Sequence, residues 1–272
     1  MAGKVISIEI GYSLTRVCEV DYKSKTHKVY GYFSIPTPEG MINDGILNLN
    51  ESFATALREA LAEHKMKSKQ VVFTLTSTKI ASREVTIPFV KENRIMDVVN
   101  ANASDYFPVD LSQYQLAYSM LGVLGDPKSG QQYKLLVLAA PQALLDGYHA
   151  LAKALKLELA ALDYAGNSIY QVVKDDCADK ARMIVKIEEG ATMVLVVNQS
   201  AISFIRSVSY GVQEALELTC NFPLKHRIET PEQALELLSG KSFVMLNDET
   251  GETEGSGEEN PQEQQFRESM TD

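Results

Sequence analysis

The chain has 272 residues and a formal net charge of −10 at pH 7, with 45% hydrophobic and 23% charged residues. This balance is typical of one or two globular domains, and the acidity argues against a nucleic-acid or anionic-membrane surface. No stretch resembles a secretory signal or reaches the ~20 apolar residues of a membrane helix. We expect a soluble cytoplasmic protein that reaches the cytoplasmic (inner) membrane only through partner proteins.

Cysteine and histidine usage gives no indication of a metal or disulfide framework. Cys18, Cys177 and Cys220 are far apart, and the sequence contains no Cys–x–x–Cys motif and no Cys/His cluster. The pattern predicts free thiols in a reducing compartment and argues against a zinc site.

The first part of the chain predicts half of an α/β layer. Alternating apolar residues indicate three antiparallel strands, and a loop with several Pro and Gly residues separates them from a helix and a fourth strand. The predicted strands cover residues 5–10, 14–21, 28–35 and 71–75, and the helix covers residues 51–64. Asn50 is placed to cap that helix.

The middle of the chain predicts a compact α+β insert over residues 82–156. Its elements are a strand at 82–87, a helix at 91–106, strands at 115–121 and 134–139, and a helix at 142–155. Pro88 and Pro108 are placed to end the first strand and the first helix, because proline lacks the amide donor and restricts the residue before it.

The remaining sequence predicts a return to the first layer and then a second one. A strand at 157–163 and a helix at 167–173 lead to a polar linker at 175–179, where we place the boundary between two lobes. Strands are predicted at 183–187, 193–197 and 201–208, and helices at 214–220 and 231–238, the latter capped by Thr230. Residues 247–264 are acidic and predict disorder, and residues 265–272 predict the start of a helix that the chain does not finish.

Two β-hairpins repeat one pattern. In each, an apolar strand ends in acid–x–Gly, at Glu9–Gly11 and at Glu188–Gly190, and a hydroxyl residue follows, Ser13 or Thr192. Glycine permits the tight bend, and the backbone N–H groups and hydroxyl of such a turn can hold a phosphate. The alternative is a pair of ordinary hairpins with glycine turns. Two related hairpins predict two lobes that enclose a nucleotide.

With these hairpins the chain resembles the actin-like ATPase superfamily, and more closely the PilM family of type IV pilus assembly. The most telling stretches are REVTIPFVKENRIMDVVNANASDYFPVDLSQYQLAYSML and KLLVLAAPQALLDGYHALAKALKLELAALDYAGNSI. The resemblance implies an actin-like (ribonuclease H-like) α/β fold of two lobes, with mixed sheets flanked by helices and an inserted α+β subdomain. The implied division is a first lobe at 1–81, the insert at 82–156, a return to the first lobe at 157–176, and an incomplete second lobe at 177–246.

The resemblance also implies a site for ATP and Mg²⁺ between the lobes. Its residues would be Glu9, Gly11, Tyr12, Ser13, Arg16, Asp163, Glu188, Gly190, Ala191 and Thr192. Glu9 and Glu188 would position the metal through water, where the family usually has Asp. The charges of Lys186 and Glu189 in the second hairpin are unusual for the family, and the Gly-Gly-Gly or Gly-Gly-Ala adenosine motif does not occur. For Asp163 and Thr192, capping of a helix or turn is the alternative. For Glu9 and Arg16 it is an exposed position on a strand, and Glu189 could face the site in place of Glu188.

The family resemblance further implies a partner. This is the N-terminal cytoplasmic peptide of an inner-membrane protein of the PilN kind, docked in a groove between the first lobe and the insert. Residues that could line such a groove are Val85, Ile87, Phe89, Tyr106 and Phe107, and the alternative for each is core packing. Self-association is a further expectation.

Two other functions remain open at this point. An actin-like ATPase or sugar kinase with true hydrolysis needs a well-placed acid, and both metal-positioning acids are altered here. A cell-division protein of the FtsA kind shares the architecture but ends in a membrane-binding amphipathic helix, whereas this sequence ends in an acidic segment. We therefore expect a nucleotide-binding scaffold with weak ATPase activity at most.

Overall fold

The computed structural model describes residues 3–21, 28–126, 130–177, 179–198, 201–221, 230 and 233–235. By its internal contacts the chain divides into two units, Met1–Ser209 and Tyr210–Asp272. The predictions for residues 247–264 and 265–272 lie outside the described residues. In the part that is described, no helix combines the length and apolar character needed to cross a membrane.

The first unit contains strands that form three larger sheets and one short hairpin, together with helices that cover them. The strands are β1 (Lys4–Ile10), β2 (Leu14–Asp21), β3 (Lys28–Pro36), β4 (Ile42–Asn43), β5 (Ile46–Leu47), β6 (Gln70–Leu75), β7 (Ala81–Pro88), β8 (Tyr114–Leu124), β9 (Gln132–Pro141), β10 (Glu158–Tyr164), β11 (Arg182–Ile187), β12 (Thr192–Asn198) and β13 (Ala201–Val208). The helices are α1 (Glu51–Glu63), α2 (Ile95–Ala101), α3 (Ala103–Tyr106), α4 (Gln142–Ala154) and α5 (Ala165–Val173).

A mixed five-stranded sheet in the order β10-β6-β1-β2-β3 forms the centre of the first unit. β1 is antiparallel to β2 and parallel to β6, which in turn is parallel to β10. Ile6 and Ile8 of β1 are buried in the core with Leu57 of α1. Because successive strand residues point to opposite faces, Ser7 and Glu9 lie on the other face, at a cavity.

A short hairpin lies inside the segment that the sequence predicts as a loop. β4 and β5 pair in an antiparallel manner around Asp44 and Gly45, which have φ angles of +45° and +79°. Asp-Gly between apolar residues is a hairpin signal, and the sequence Ile42-Asn43-Asp44-Gly45-Ile46 carries it. Asp44 anchors the hairpin, since its carboxylate accepts from both the N–H and the hydroxyl of Thr78 at 2.7 Å.

The insert has its own antiparallel sheet, in the order β7-β9-β8, and its own core. The single helix predicted at 91–106 is wrong: a 3₁₀ turn at Glu92–Arg94 precedes α2, and α2 and α3 are separate. Asn102 lies at the break and its side-chain amide donates to the Val98 carbonyl at 2.8 Å. Side-chain bonding of this kind competes with the backbone ladder.

A second three-stranded antiparallel sheet, β11-β12-β13, repeats the topology of β1-β2-β3. α5 packs closely on it, because a Cβ at Gly166 would lie 1.9 Å from Cδ1 of Ile205. Buried residues of this sheet, including Met193 and Leu195, belong to the same core cluster as those of the five-stranded sheet.

In the second unit the structure describes residues 210–221, which include α6 (Val212–Asn221), and residues 230 and 233–235. The carboxylate of Glu214 accepts from the N–H of Gly211 at 2.7 Å, just before the helix begins. The predicted cap at Thr230 is present, since its hydroxyl oxygen accepts from the N–H of Gln233 at 3.3 Å.

Candidate functional site

The turns of the two repeated hairpins face each other. The N–H of Gly11 donates to the Leu14 carbonyl at 3.0 Å, and the N–H of Glu188 donates to the Ala191 carbonyl at 2.9 Å, which closes each turn. Between the turns, the backbone N–H of Ser13 donates to Oε2 of Glu189 at 2.7 Å, and the Ser13 hydroxyl donates to Oε1 of the same carboxylate. Glu189 therefore binds both the backbone and the hydroxyl donor of Ser13.

An aromatic ring fills the space beside that contact. A Cβ at Gly190 would lie 2.5 Å from Cζ of Tyr12, so only glycine fits under the ring. The Tyr12 hydroxyl accepts from the N–H of Asp44 at 3.2 Å, and Asp44 is held by Thr78. The ring is thus held between Gly190 and Asp44, and the two turns are in van der Waals contact.

A second contact between the hairpins is ionic. Nζ of Lys186 lies 3.0 Å from Oε1 of Glu9 and 2.6 Å from Oε1 of Glu188, and Arg16 lies 3.8 Å from Oε2 of Glu9. Burial by itself would lower the pKa of Lys186, but the hydrogen bond to Glu188 and the charge of Glu9 outweigh it and raise the pKa above its ordinary value. Lys186 is therefore a cation placed between two acids.

The other residues predicted for the nucleotide site have structural contacts. A Cβ at Gly11 would lie 2.9 Å from the Leu14 carbonyl oxygen, so the turn requires glycine. Asp163 accepts from Nδ2 of Asn167 at 2.8 Å and from Oγ of Ser168 at 2.5 Å, both in α5. Ala191 is buried in the second turn, and Thr192 begins β12 opposite Ile187.

A cavity of about 770 Å³ opens beside the facing hairpins. Glu9, Arg16 and Lys186 form one part of its wall. Sequence reasoning missed its other polar residues, among them Ser7, Ser34, Thr74, His64 and Ser168. The available signal was the alternation Ile6-Ser7-Ile8-Glu9-Ile10, which places two polar side chains on the face away from the core.

The side chains between the hairpins do not fit a magnesium-bound phosphate in this arrangement. Glu9 and Glu188, the two acids that would position the metal, both bind the ammonium group of Lys186. The hydroxyl and N–H of Ser13, which would bind a phosphate oxygen, both bind Glu189. Among the described residues, no group of three or more His, Cys, Asp or Glu side chains could hold a metal ion.

A second cavity, of about 510 Å³, lies where the insert meets the five-stranded sheet. Its walls come mainly from β8, β9 and β10, with Ile202 and Ile205 of β13. The lining is largely aliphatic, and its polar members are Gln115, Ser119, His149, Asp163 and Asn167. β10 ends one sheet and β8 ends the other, so two sheet edges border this groove.

The residues predicted to line a partner groove lie outside the lining of this second cavity. Val85, Ile87 and Phe107 are 7%, 1% and 4% exposed and belong to the core of the insert. Phe89 stacks on Tyr133 with 4.6 Å between ring centroids, and Tyr106 packs against the insert core. None of the five lines the groove between β8 and β10. Val85 and Ile87 lie on the face of β7 that packs on Ile95 and Val99 of α2.

Two three-stranded meanders with facing turns, and an α+β sheet inserted between them along the chain, give the protein the actin-like fold that the sequence resemblance implies. Within that class, a family model for the type IV pilus assembly protein PilM matches residues 7–226, and the chain belongs to that family.

The comparison with solved structures found one with the same fold and others with weaker similarity. A PilM–PilN type IV pilus biogenesis complex matches with a TM-score of 0.72 and 19% identity, over 88% of this chain and 70% of that one. A Bacteroides thetaiotaomicron protein with an actin-like ATPase fold gives 0.42 at 8% identity, over 79% and 74%. The cytoplasmic domain of EpsL, an inner-membrane component of the Vibrio cholerae type II secretion system, gives 0.44 at 12% identity, over 88% and 96%. No curated protein gave a significant match.

Proposed function

We propose that this protein is a cytoplasmic scaffold of the type IV pilus assembly machine. In this role it docks the N-terminal cytoplasmic peptide of a PilN-like inner-membrane partner and reaches the membrane through that partner. Two findings support the proposal: the family match over residues 7–226, and the similarity to a structure described as a PilM–PilN complex. Self-association stays a prediction.

The observation that carries the proposed docking site is the groove between the edges of two sheets. β8 and β10 are each the last strand of their sheet, so each has one side directed away from its own neighbour. An extended peptide can add to such an edge through main-chain hydrogen bonds, while pockets select alternate side chains. The aliphatic lining, with residues such as Leu138 and Leu162, suits a peptide with apolar side chains at alternate positions.

The family resemblance also implies that ATP binds between the lobes. The side chains that would hold it are bound to one another here, so the scaffold role is proposed without a nucleotide-dependent step. Hydrolysis is not part of the proposal. Docking of the peptide uses a different cavity from the facing hairpins, and the two can be tested separately.

A substitution that fills the groove tests the docking site. Ala117 on β8 is exposed and lines the groove, whereas Ala101 in α2 is exposed and lies outside its lining. A fluorescently labelled peptide of the partner's cytoplasmic segment should bind the wild-type chain saturably in an anisotropy titration. Ala117→Arg should weaken binding at least about tenfold, or ~1.4 kcal/mol, and Ala101→Arg should leave it unchanged. Equal affinities for all three proteins would contradict the docking site, and no saturable binding by the wild type would contradict the function.

A further inference from the structure

The contact between Ser13 and Glu189 uses the donors of a phosphate-binding turn. A backbone N–H and a hydroxyl that point to one anion form the kind of concavity that binds phosphate oxygens. Here both oxygens of a carboxylate from the other hairpin accept from them. Hydrogen bonds to an ionised acceptor are the stronger class, and an incoming anion must displace this one first.

In the second contact between the hairpins a cation, and not an anion, lies at the centre. Lys186 places its ammonium group within 3.0 Å of one acid from each hairpin, Glu9 and Glu188. A magnesium ion at this position would need carboxylate and water oxygens arranged in an octahedron, and a lysine ammonium supplies no lone pair. The three side chains are partly buried, with exposures of 26% to 30%, so their attraction is less screened than on an open surface.

The steric contact between the turns also joins the hairpins and opposes the entry of phosphates. The Tyr12 ring occupies the space above Gly190 and is held by the Asp44 hairpin. A chain of phosphates between the turns would need this ring to move. Charge, hydrogen bonding and packing thus all join the two hairpins directly.

We infer that Glu9, Ser13, Lys186, Glu188 and Glu189 form an internal clasp that closes the two hairpins without nucleotide, with Glu189 in the place of a phosphate and Lys186 in the place of a metal ion. The clasp goes beyond the proposed scaffold function and does not depend on peptide docking. It makes the lobes of this chain self-closing, so nucleotide is not required to hold the hairpins together.

Hydrogen exchange at a single amide tests the clasp in the absence of ligand. In the wild-type chain the Ser13 amide should be protected, measured by NMR on labelled protein with no nucleotide present. Glu189→Gln and Lys186→Gln should each increase its exchange rate at least about tenfold. Glu63→Gln, at an exposed position in α1, is the matched control and should leave the rate unchanged. Circular dichroism identifies any variant that has lost its fold, and the other variant then carries the test.

Calorimetry with Mg²⁺–ATP, and separately with inorganic phosphate, provides the second readout. The wild-type chain should give no saturable heat at up to ~1 mM of either probe, while its Ser13 amide is protected. A Ser13 amide that exchanges as fast in the wild type as in Glu189→Gln would overturn the inference. Tight wild-type binding of Mg²⁺–ATP, with a dissociation constant below ~0.1 mM, would overturn it as well. Such binding would leave peptide docking, and so the proposed function, unaffected.

Discussion

Glu19 is an acidic residue buried in the second half of β2, with 3% of its surface exposed. One of its oxygens accepts from the backbone N–H groups of Lys67 and Ser68 at 2.8 and 2.6 Å, and Lys4 lies 3.4 Å from the other. Burial would raise the pKa of Glu19, but these two hydrogen bonds and the charge of Lys4 outweigh it and hold the pKa below its ordinary value. The residue joins β2 to the segment that leads into β6.

We expect Glu19→Gln to lower the free energy of unfolding by about 1–3 kcal/mol at pH 7, because buried N–H donors lose their charged acceptor. The folded-state pKa is depressed, so the stabilisation is complete above the unfolded pKa of about 4.3 and disappears as pH falls through the folded value. Urea titrations at pH 7 and pH 3 should therefore show a large difference from wild type at pH 7 and a smaller one at pH 3. A difference that is constant with pH, or equal to that of Glu63→Gln, would contradict this account.

At the scale of elements, the β4–β5 hairpin is the support on which Tyr12 rests. Glycine is required at position 45 of this hairpin for two separate reasons, its backbone conformation and the lack of space for a side chain. Gly45 has a φ of +79°, and a Cβ there would lie 2.5 Å from the Thr76 carbonyl oxygen. Gly40 has a φ of +71°, yet nothing lies within 4 Å of its Cβ position. An alanine at position 40 would meet only backbone strain, whereas an alanine at position 45 would meet backbone strain and a steric conflict.

Gly40→Ala should lower the free energy of unfolding by about 1–2 kcal/mol, the cost of a left-handed conformation for alanine. Gly45→Ala should lower the free energy of unfolding by ~1–3 kcal/mol more than Gly40→Ala does, because backbone atoms must shift to admit the methyl group. Chemical denaturation of both variants measures the difference. Equal losses would show that the Thr76 contact is relieved without cost.

At the scale of the whole first unit, α5 is the element through which the core of the five-stranded sheet continues into that of β11-β12-β13. Gly166 of α5 packs against Ile205 of β13, and a Cβ at position 166 would lie 1.9 Å from Cδ1 of Ile205. The next atoms, Cγ1 of Ile205 and Sδ of Met193, would lie 3.2 and 3.4 Å away. One methyl group therefore determines whether alanine fits.

Gly166→Ala alone should lower the free energy of unfolding by about 1–3 kcal/mol through overpacking. Ile205→Val removes Cδ1 and should cost about 0.5–1.5 kcal/mol by itself. The double variant should be more stable than the sum of the two losses predicts, by at least ~1 kcal/mol. Thermal or chemical denaturation of all four proteins gives the coupling free energy, and additive losses would mean that α5 moves instead of meeting Ile205.

Much of the fold follows from local patterns. Alternation in β1, β2, β11 and β12 predicted the two meanders, and Asn50 was correctly expected to cap α1, where its side chain accepts from the N–H of Phe53 at 2.8 Å. The break at Asn102 and the β4–β5 hairpin were missed. In both cases a single side-chain or turn preference prevailed over an averaged pattern, and the Asp-Gly signal was available in the sequence.

The sequence by itself determined the strand order within each meander, the repeated acid–x–Gly turns and the family. Only the tertiary structure decided what those turns bind. Ser13 meets Glu189 across 176 positions of the chain, and Lys186 meets Glu9 across 177. Periodicity specifies which face of a strand is buried, but it carries no information on which distant side chain arrives there. The partner of each charge is set when the sheets pack, since charges brought together in a partly buried site must be paired.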